Sequence, residues 1–72
     1  MSQEIQIQVN GSKKTIRSGL SLVDLIGILK LESGQIAIEV NRVIVKKENW
    51  NELILQENDV VEIVHFVGGG AL

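Results

Sequence analysis

Cysteine is absent from the 72 residues, which excludes disulfides and thiolate metal sites and leaves packing alone to hold the fold. A basic surplus is absent too: seven Lys and Arg stand against nine Asp and Glu, a formal net charge of −2. That balance removes the electrostatic footprint of a nucleic-acid binder. Aromatic residues make up 3% of the chain, too few for the stacking platforms of an RNA-binding domain. The longest apolar runs are far too short to span a bilayer. Met1-Ser2-Gln3-Glu4 has neither the basic nor the apolar region of a signal peptide, and a soluble cytoplasmic protein is the expectation. His65 is the sole histidine, and alone it builds neither a metal site nor a triad. With no nucleophile–base set, phosphate loop or metal cluster, no catalytic residue, metal site or bound cofactor is expected. The chain does not read as an enzyme.

What is present is aliphatic and regular. One small domain of this length holds a thin core, with a stability of roughly 3–5 kcal/mol. Glu4-Ile5-Gln6-Ile7-Gln8-Val9 alternates polar and apolar, which predicts a half-buried strand with Ile5, Ile7 and Val9 inward. Asn10-Gly11 then signals a type I′ hairpin turn, whose central residues both need φ > 0. Ser12 to Arg17 forms the returning strand, with Ile16 its one large apolar residue.

Ser21 reads as a helix N-cap, with Asp24 completing a capping box and Leu20 and Leu25 at the positions of a hydrophobic staple. Leu22, Leu25, Ile26 and Leu29 recur at helical spacing, and Ile28 is expected to widen the stripe. Gly27 costs about 1 kcal/mol relative to Ala in a helix interior, and close packing on a sheet would account for it. Gly34 is the expected stop. Ile36 to Val40 predicts a third strand, Asn41-Arg42 a tight turn and Val43 to Val45 a fourth. Trp50 is expected as a partly buried lid over the sheet edge. Glu57-Asn58-Asp59 marks a turn into a last strand, Val60 to Val67.

A mixed sheet of about five strands, covered on one face by one main helix, is the compact solution for this order. The last strand then runs parallel beside the first, which is the ubiquitin-like β-grasp of the α+β class. Residues 1–67 are the expected β-grasp domain and residues 68–72 a flexible glycine tail with a two-residue extension.

Gly68-Gly69-Gly70 builds no core. It makes a thin tail that can enter another enzyme's active site and present a carboxylate. Val67 to Gly70, extended at about 3.3–3.6 Å per residue, reaches on the order of 14 Å. Without Cβ atoms such a backbone passes a narrow channel. If Val61 and Ile63 face the core, Val64 and Phe66 fall on the opposite side. Exposed apolar residues beside a working tail suggest a docking patch. The alternative is a bulge that turns Phe66 back under the helix.

Several stretches together carry a resemblance. They are Val9-Asn10-Gly11, the helix Leu22 to Leu29, Ala37 to Arg42 with Val43-Ile44-Val45, Trp50, and above all Asn58 to Gly70. Nearly the whole chain is similar to the ThiS family of thiamine-pathway sulfur carriers. Members commonly carry Pro-Arg where Lys46-Lys47 stands here, and usually stop at the last glycine, where this chain continues with Ala71-Leu72.

The resemblance implies that an E1-like, ThiF-like adenylating enzyme uses ATP to activate the terminal carboxylate. A bare carboxylate is a poor electrophile, and a mixed anhydride with AMP is a good one. Sulfur from a persulfide then displaces AMP, and the thiocarboxylate donates its sulfur to a ThiG-like thiazole synthase. Gly70 is the expected attachment point for adenylate and thiocarboxylate, and Gly68 and Gly69 the channel residues. Three readings of Ala71-Leu72 stand open: a precursor extension trimmed by a processing peptidase, a sequence-boundary artefact, and a permanent extension with carrier function lost. Other functional readings also stand: a carrier for molybdopterin, cysteine or another product, a protein modifier conjugated to lysines, and an inert interaction domain.

Overall fold

Strand β1, Glu4–Val9, opens the structure, and Asn10 and Gly11 turn it back with φ of 50° and 85°. These are the left-handed values that the Asn-Gly pair predicts. The computed structural model describes residues 3–66. Strand β2, Ser12–Arg17, pairs antiparallel with β1 from Glu4 opposite Arg17 to Val9 opposite Ser12.

Helix α1, Leu22–Leu29, starts where the cap chemistry places it. The Ser21 N–H donates to Asp24 Oδ2 at 2.9 Å, and the Asp24 N–H donates to Ser21 Oγ at 3.2 Å. The same start is tied to the segment after the helix layer: the Leu22 N–H reaches the Leu53 carbonyl at 3.1 Å, and the Leu55 N–H reaches the Leu20 carbonyl at 2.9 Å. Leu22, Leu25 and Ile26 are buried against the sheet.

Three helix expectations need correction. Ile28 is 48% exposed and does not widen the stripe. At 100° per residue it points well away from the line through Leu22, Leu25 and Ile26. Gly27 lies on the same outer side, where an added Cβ would meet nothing within 4 Å, so close packing on the sheet does not explain it. The helix ends at Leu29 rather than near Gly34. Lys30 adopts the left-handed conformation at φ 59°, its N–H bonds the Gly27 carbonyl, and the Leu31 N–H bonds the Ile26 carbonyl. Leu31 packs against the core, and this contact helps a lysine to hold a position that usually falls to glycine. Gly34 sits in a short 3-10 turn, Ser33–Gln35.

Strand β3, Ile36–Val40, buries Ile36, Ile38 and Val40. Asn41 and Arg42 turn tightly with φ of 52° and 70° into β4, Val43–Ile44. The fourth strand is thus shorter than expected, although the Val45 N–H still reaches the Ile38 carbonyl at 3.0 Å. After the 3-10 turn Lys47–Asn49 comes Trp50, which is 3% exposed and donates its indole N–H to the Val45 carbonyl at 2.8 Å. It is a core residue rather than a partly buried lid. Its polar surroundings in sequence hide this, because the burial is set by distant chain.

Strand β5, Val60–His65, completes the sheet in the order β2-β1-β5-β3-β4. It runs parallel to β1, with Gln8 opposite Val60 and Val9 opposite Val61. It runs antiparallel to β3, from Ile36 opposite His65 to Val40 opposite Val61. The first and last strands therefore lie side by side in the middle, with α1 over one face: the ubiquitin-like β-grasp. Among the described residues every buried side-chain polar atom has a hydrogen-bond partner.

Candidate functional site

The site starts with how β5 is held. At its base the Val60 N–H donates to Asn41 Oδ1 at 2.9 Å. Asn41 Nδ2 donates in turn to Asp59 Oδ1 at 3.0 Å, and the Gln56 N–H donates to Asp59 Oδ2 at 2.8 Å. This network closes the turn at Glu57-Asn58, where Asn58 takes φ 71°. It accounts for Asp59 as a structural carboxylate. Toward the other end the Ile63 N–H donates to Asn10 Oδ1 at 2.7 Å, and the Phe66 N–H donates to the Gln35 carbonyl at 2.9 Å. The strand is pinned at both ends by side chains or backbone from other elements.

Alternation then sorts the side chains. Val61 and Ile63 enter the core at 0% and 7% exposure. Val64 and Phe66 lie on the face away from α1 and are 55% and 57% exposed. The bulge that would tuck Phe66 under the helix does not occur: β5 stays extended, and its ladder with β3 continues through the Gln35 contact. The expected docking pair is thus brought onto one exposed face. Ile44 on β4 joins that face through its register with Glu39 and is 70% exposed. Sequence reasoning missed Ile44, because a strand as short as Val43–Ile44 gives no alternation to read. Glu39 stands directly opposite Glu62 on the same face.

Gly68, Gly69 and Gly70 lie outside the described residues, as do Val67, Ala71 and Leu72. What the structure places is their root, the end of β5 beside Val64 and Phe66. His65 is exposed. Among the described residues no group of three His, Cys, Asp or Glu is placed to hold a metal ion. No helix there is long and apolar enough to cross a membrane. A groove lies elsewhere, between α1 and the edge strand β2, lined by Lys14, Ile16, Arg17, Leu20, Gly27 and Ile28 among others. Its one carboxylate, Asp24, is engaged in the helix cap.

Known proteins match along the whole length of this arrangement. The model of the ThiS family matches residues 4–70. The sulfur carrier protein ThiS of Bacillus subtilis (strain 168) is 40% identical over 65 residues, covering 89% of this chain and 98% of that protein. A thiazole synthase of Magnetococcus marinus is 33% identical over 66 residues, which is 92% of this chain, and the chain spans 20% of that enzyme's length. The crystal structure of the thiamine biosynthesis protein ThiS from Geobacter metallireducens superposes with a TM-score of 0.78 at 27% identity, covering 92% of this chain and all of that one.

Proposed function

The chain belongs to the ThiS family, small sulfur carriers of thiamine biosynthesis that are not themselves catalysts, and from that premise we propose how it takes up and delivers sulfur. The Gly70 carboxylate attacks the α-phosphorus of ATP in an E1-like adenylating enzyme and releases pyrophosphate. The acyl adenylate that forms has AMP as its leaving group. The persulfide's outer sulfur attacks the Gly70 carbonyl carbon and AMP departs, leaving an acyl disulfide; a thiol of the donor or activating enzyme then attacks the donor's sulfur, which releases the terminal thiocarboxylate as a new disulfide forms. That soft nucleophile delivers its sulfur to a thiazole synthase. Exposing the Gly70 carboxylate requires cleavage of the Gly70–Ala71 bond, which is work for a processing peptidase.

The observation that carries this reading is the family match itself, which runs through β5 and stops at Gly70. Support for the acceptor comes from the thiazole synthases whose own length includes a region similar to this chain. Gly68 and Gly69 are the stretch that threads the partner's channel.

The exposed face of β5 serves as the docking surface for the adenylating enzyme. Phe66→Ala is expected to weaken that binding by about tenfold, the size of a modest aromatic contact at an interface. Its thermal melt should stay within a degree or two of the parent, because Phe66 is 57% exposed. Calorimetric titration beside a melting curve checks both. Loss of the fold would instead make Phe66 a structural residue.

The function is tested by the intact mass of the protein from its native host, isolated under conditions that preserve thiocarboxylates. A chain ending at Gly70, with one oxygen replaced by sulfur in part of the sample, is the expected result. An unmodified chain that retains Ala71-Leu72 while the host makes thiamine would overturn it, and isopeptide-linked targets would point to a protein modifier.

A further inference from the structure

β2 is the outer strand of the sheet, and among the described residues no strand pairs with its far side. β1 turns Gln6 and Gln8 toward β5: the Gln8 N–H donates to the Asp59 carbonyl, and the Asn58 N–H donates to the Gln6 carbonyl. The backbone groups of Ile5 and Ile7 therefore face β2, where Ile16 and Lys14 stand opposite them, and the Ser18 N–H closes on the Gln3 carbonyl. In an antiparallel ladder every second residue turns its backbone groups the other way. Lys13, Thr15 and Arg17 thus direct their N–H and carbonyl groups outward, a row open to a further strand. The opposite edge of the sheet offers only the short β4, Val43–Ile44.

Side chains alternate along the same edge. Lys14 and Ile16 lie on the α1 side, half-buried and buried, while Lys13, Thr15 and Arg17 are exposed on the other. On the α1 side an added strand would lie along the groove lined by Ile16, Leu20, Gly27 and Ile28. No packing within the fold explains Gly27, since an added Cβ would meet nothing within 4 Å. Yet glycine costs a helix about 1 kcal/mol relative to Ala. In the groove its bare backbone leaves room for an occupant's side chain, and Ile28 supplies an exposed apolar wall. Lysines on an edge also blunt it against chance pairing. That accounts for Lys13 and Lys14, but for neither Gly27 nor Ile28.

Charge selects the occupant. Across the ladder Lys13 faces Gln8 and Lys14 faces Ile7, so neither is neutralised there, while Arg17 faces Glu4. β2 itself contains no acidic residue, and the groove's carboxylate, Asp24, is held in the helix cap. A second copy paired antiparallel through β2 about Thr15 would set Lys13 against Arg17, and like charges directly opposite are destabilising. We propose that the β2 edge and the α1 groove beside it bind an extended acidic peptide segment of a partner protein. The segment pairs with β2 as an added strand, with apolar side chains in the groove and carboxylates beside Lys13 and Arg17. This surface is separate from the exposed face of Val64 and Phe66, and it does not depend on the carrier reading.

The probe is the synthetic peptide acetyl-Glu-Val-Glu-Val-Glu-Val-Glu-amide, titrated into the isotope-labelled full chain and followed by NMR. The amides of Lys13, Thr15, Arg17 and Gly27 are expected to shift, and those of Ile44 and Val64 to stay. Exchange of the Thr15 amide should slow by about tenfold at saturation, because its N–H then donates to the added strand. Two variants separate groove from charge. Gly27→Leu fills the groove and should weaken binding about tenfold, with a melting temperature no lower than the parent's, since Leu is the better helix former. Lys13→Glu combined with Lys14→Glu should weaken it by about tenfold or more, as like charges brought together at a contact do. The same peptide with Lys in place of Glu should not bind. No shift at millimolar peptide overturns the proposal. So do shifts centred on Val64 and Phe66, unchanged exchange at Thr15, undiminished binding by Gly27→Leu, or equal binding of the basic peptide.

Discussion

Deletion of Gly70 together with Ala71 and Leu72 is expected, on the proposed role of the Gly70 carboxylate, to yield a folded domain that no longer accepts sulfur. Folding is expected to survive because the described core and the side chains packed on it run from Ile5 to Ile63. A change remote from such packing usually stays within about 0.5 kcal/mol. The chemistry does not survive, although the shortened chain still ends in a glycine carboxylate. That carboxylate falls short by about 3.3–3.6 Å, the span of one extended residue. Since about 1 Å of misplacement can cost on the order of 100-fold, a loss of more than a thousandfold in acyl-adenylate formation is expected. Carrier-dependent pyrophosphate release measures it directly. A chain ending at Gly69 that still gained sulfur would move the reactive carbon away from Gly70.

Leu25→Ala is the substitution expected to cost the fold most. Leu25 is fully buried at 0% exposure, in a helix of eight residues. A helix so short has little stability of its own and exists because its apolar side is packed. Removing a buried leucine side chain costs about 2–5 kcal/mol. A small domain commands roughly 3–5 kcal/mol in total. The melting temperature should drop by about 8–40 °C, at about 4–8 °C per kcal/mol for a domain of this size. Urea and thermal unfolding check it. A cooperative melt within a few degrees of the parent would mean that the core closes over the vacancy.

These two results concern the parts of the molecule that were most legible in sequence. The alternation in Glu4 to Val9, the Asn10-Gly11 turn and the Ser21–Asp24 cap each depend on residues close in the chain, so local pattern carries them. The opposed faces of Val61 and Ile63 against Val64 and Phe66 follow from the same period of two. Other features depend on residues far apart and left no local mark. Trp50 sits among polar residues and is buried because the rest of the chain wraps it. The Asn10 contact to Ile63 joins positions 53 residues apart, and the turn already accounted for Asn10 without it. Ile28 and Gly27 were misread for a third reason: apolar or small character suggested contact, while the angular position on α1 sets them outside it. Lys30 shows that cap geometry can be met by an ordinary residue when Leu31 is there to pack, so glycine was a misleading marker of the helix end.

The central place of β5 has a consequence for synthesis on the ribosome. The β1–β2 hairpin and β3 flank a gap that only residues 60–65 can fill. Contacts between β1 and β5 join the two ends of the described chain, and long-range pairing of this kind is slow to form because a large loop must close first. A nascent chain that has emerged only as far as Asp59 has two separate pieces of sheet and lacks Val61 and Ile63 from the core. The strand whose arrival joins them is the one whose end bears the glycines. A copy truncated before residue 60 therefore lacks the strand from which the C-terminal segment leaves the sheet.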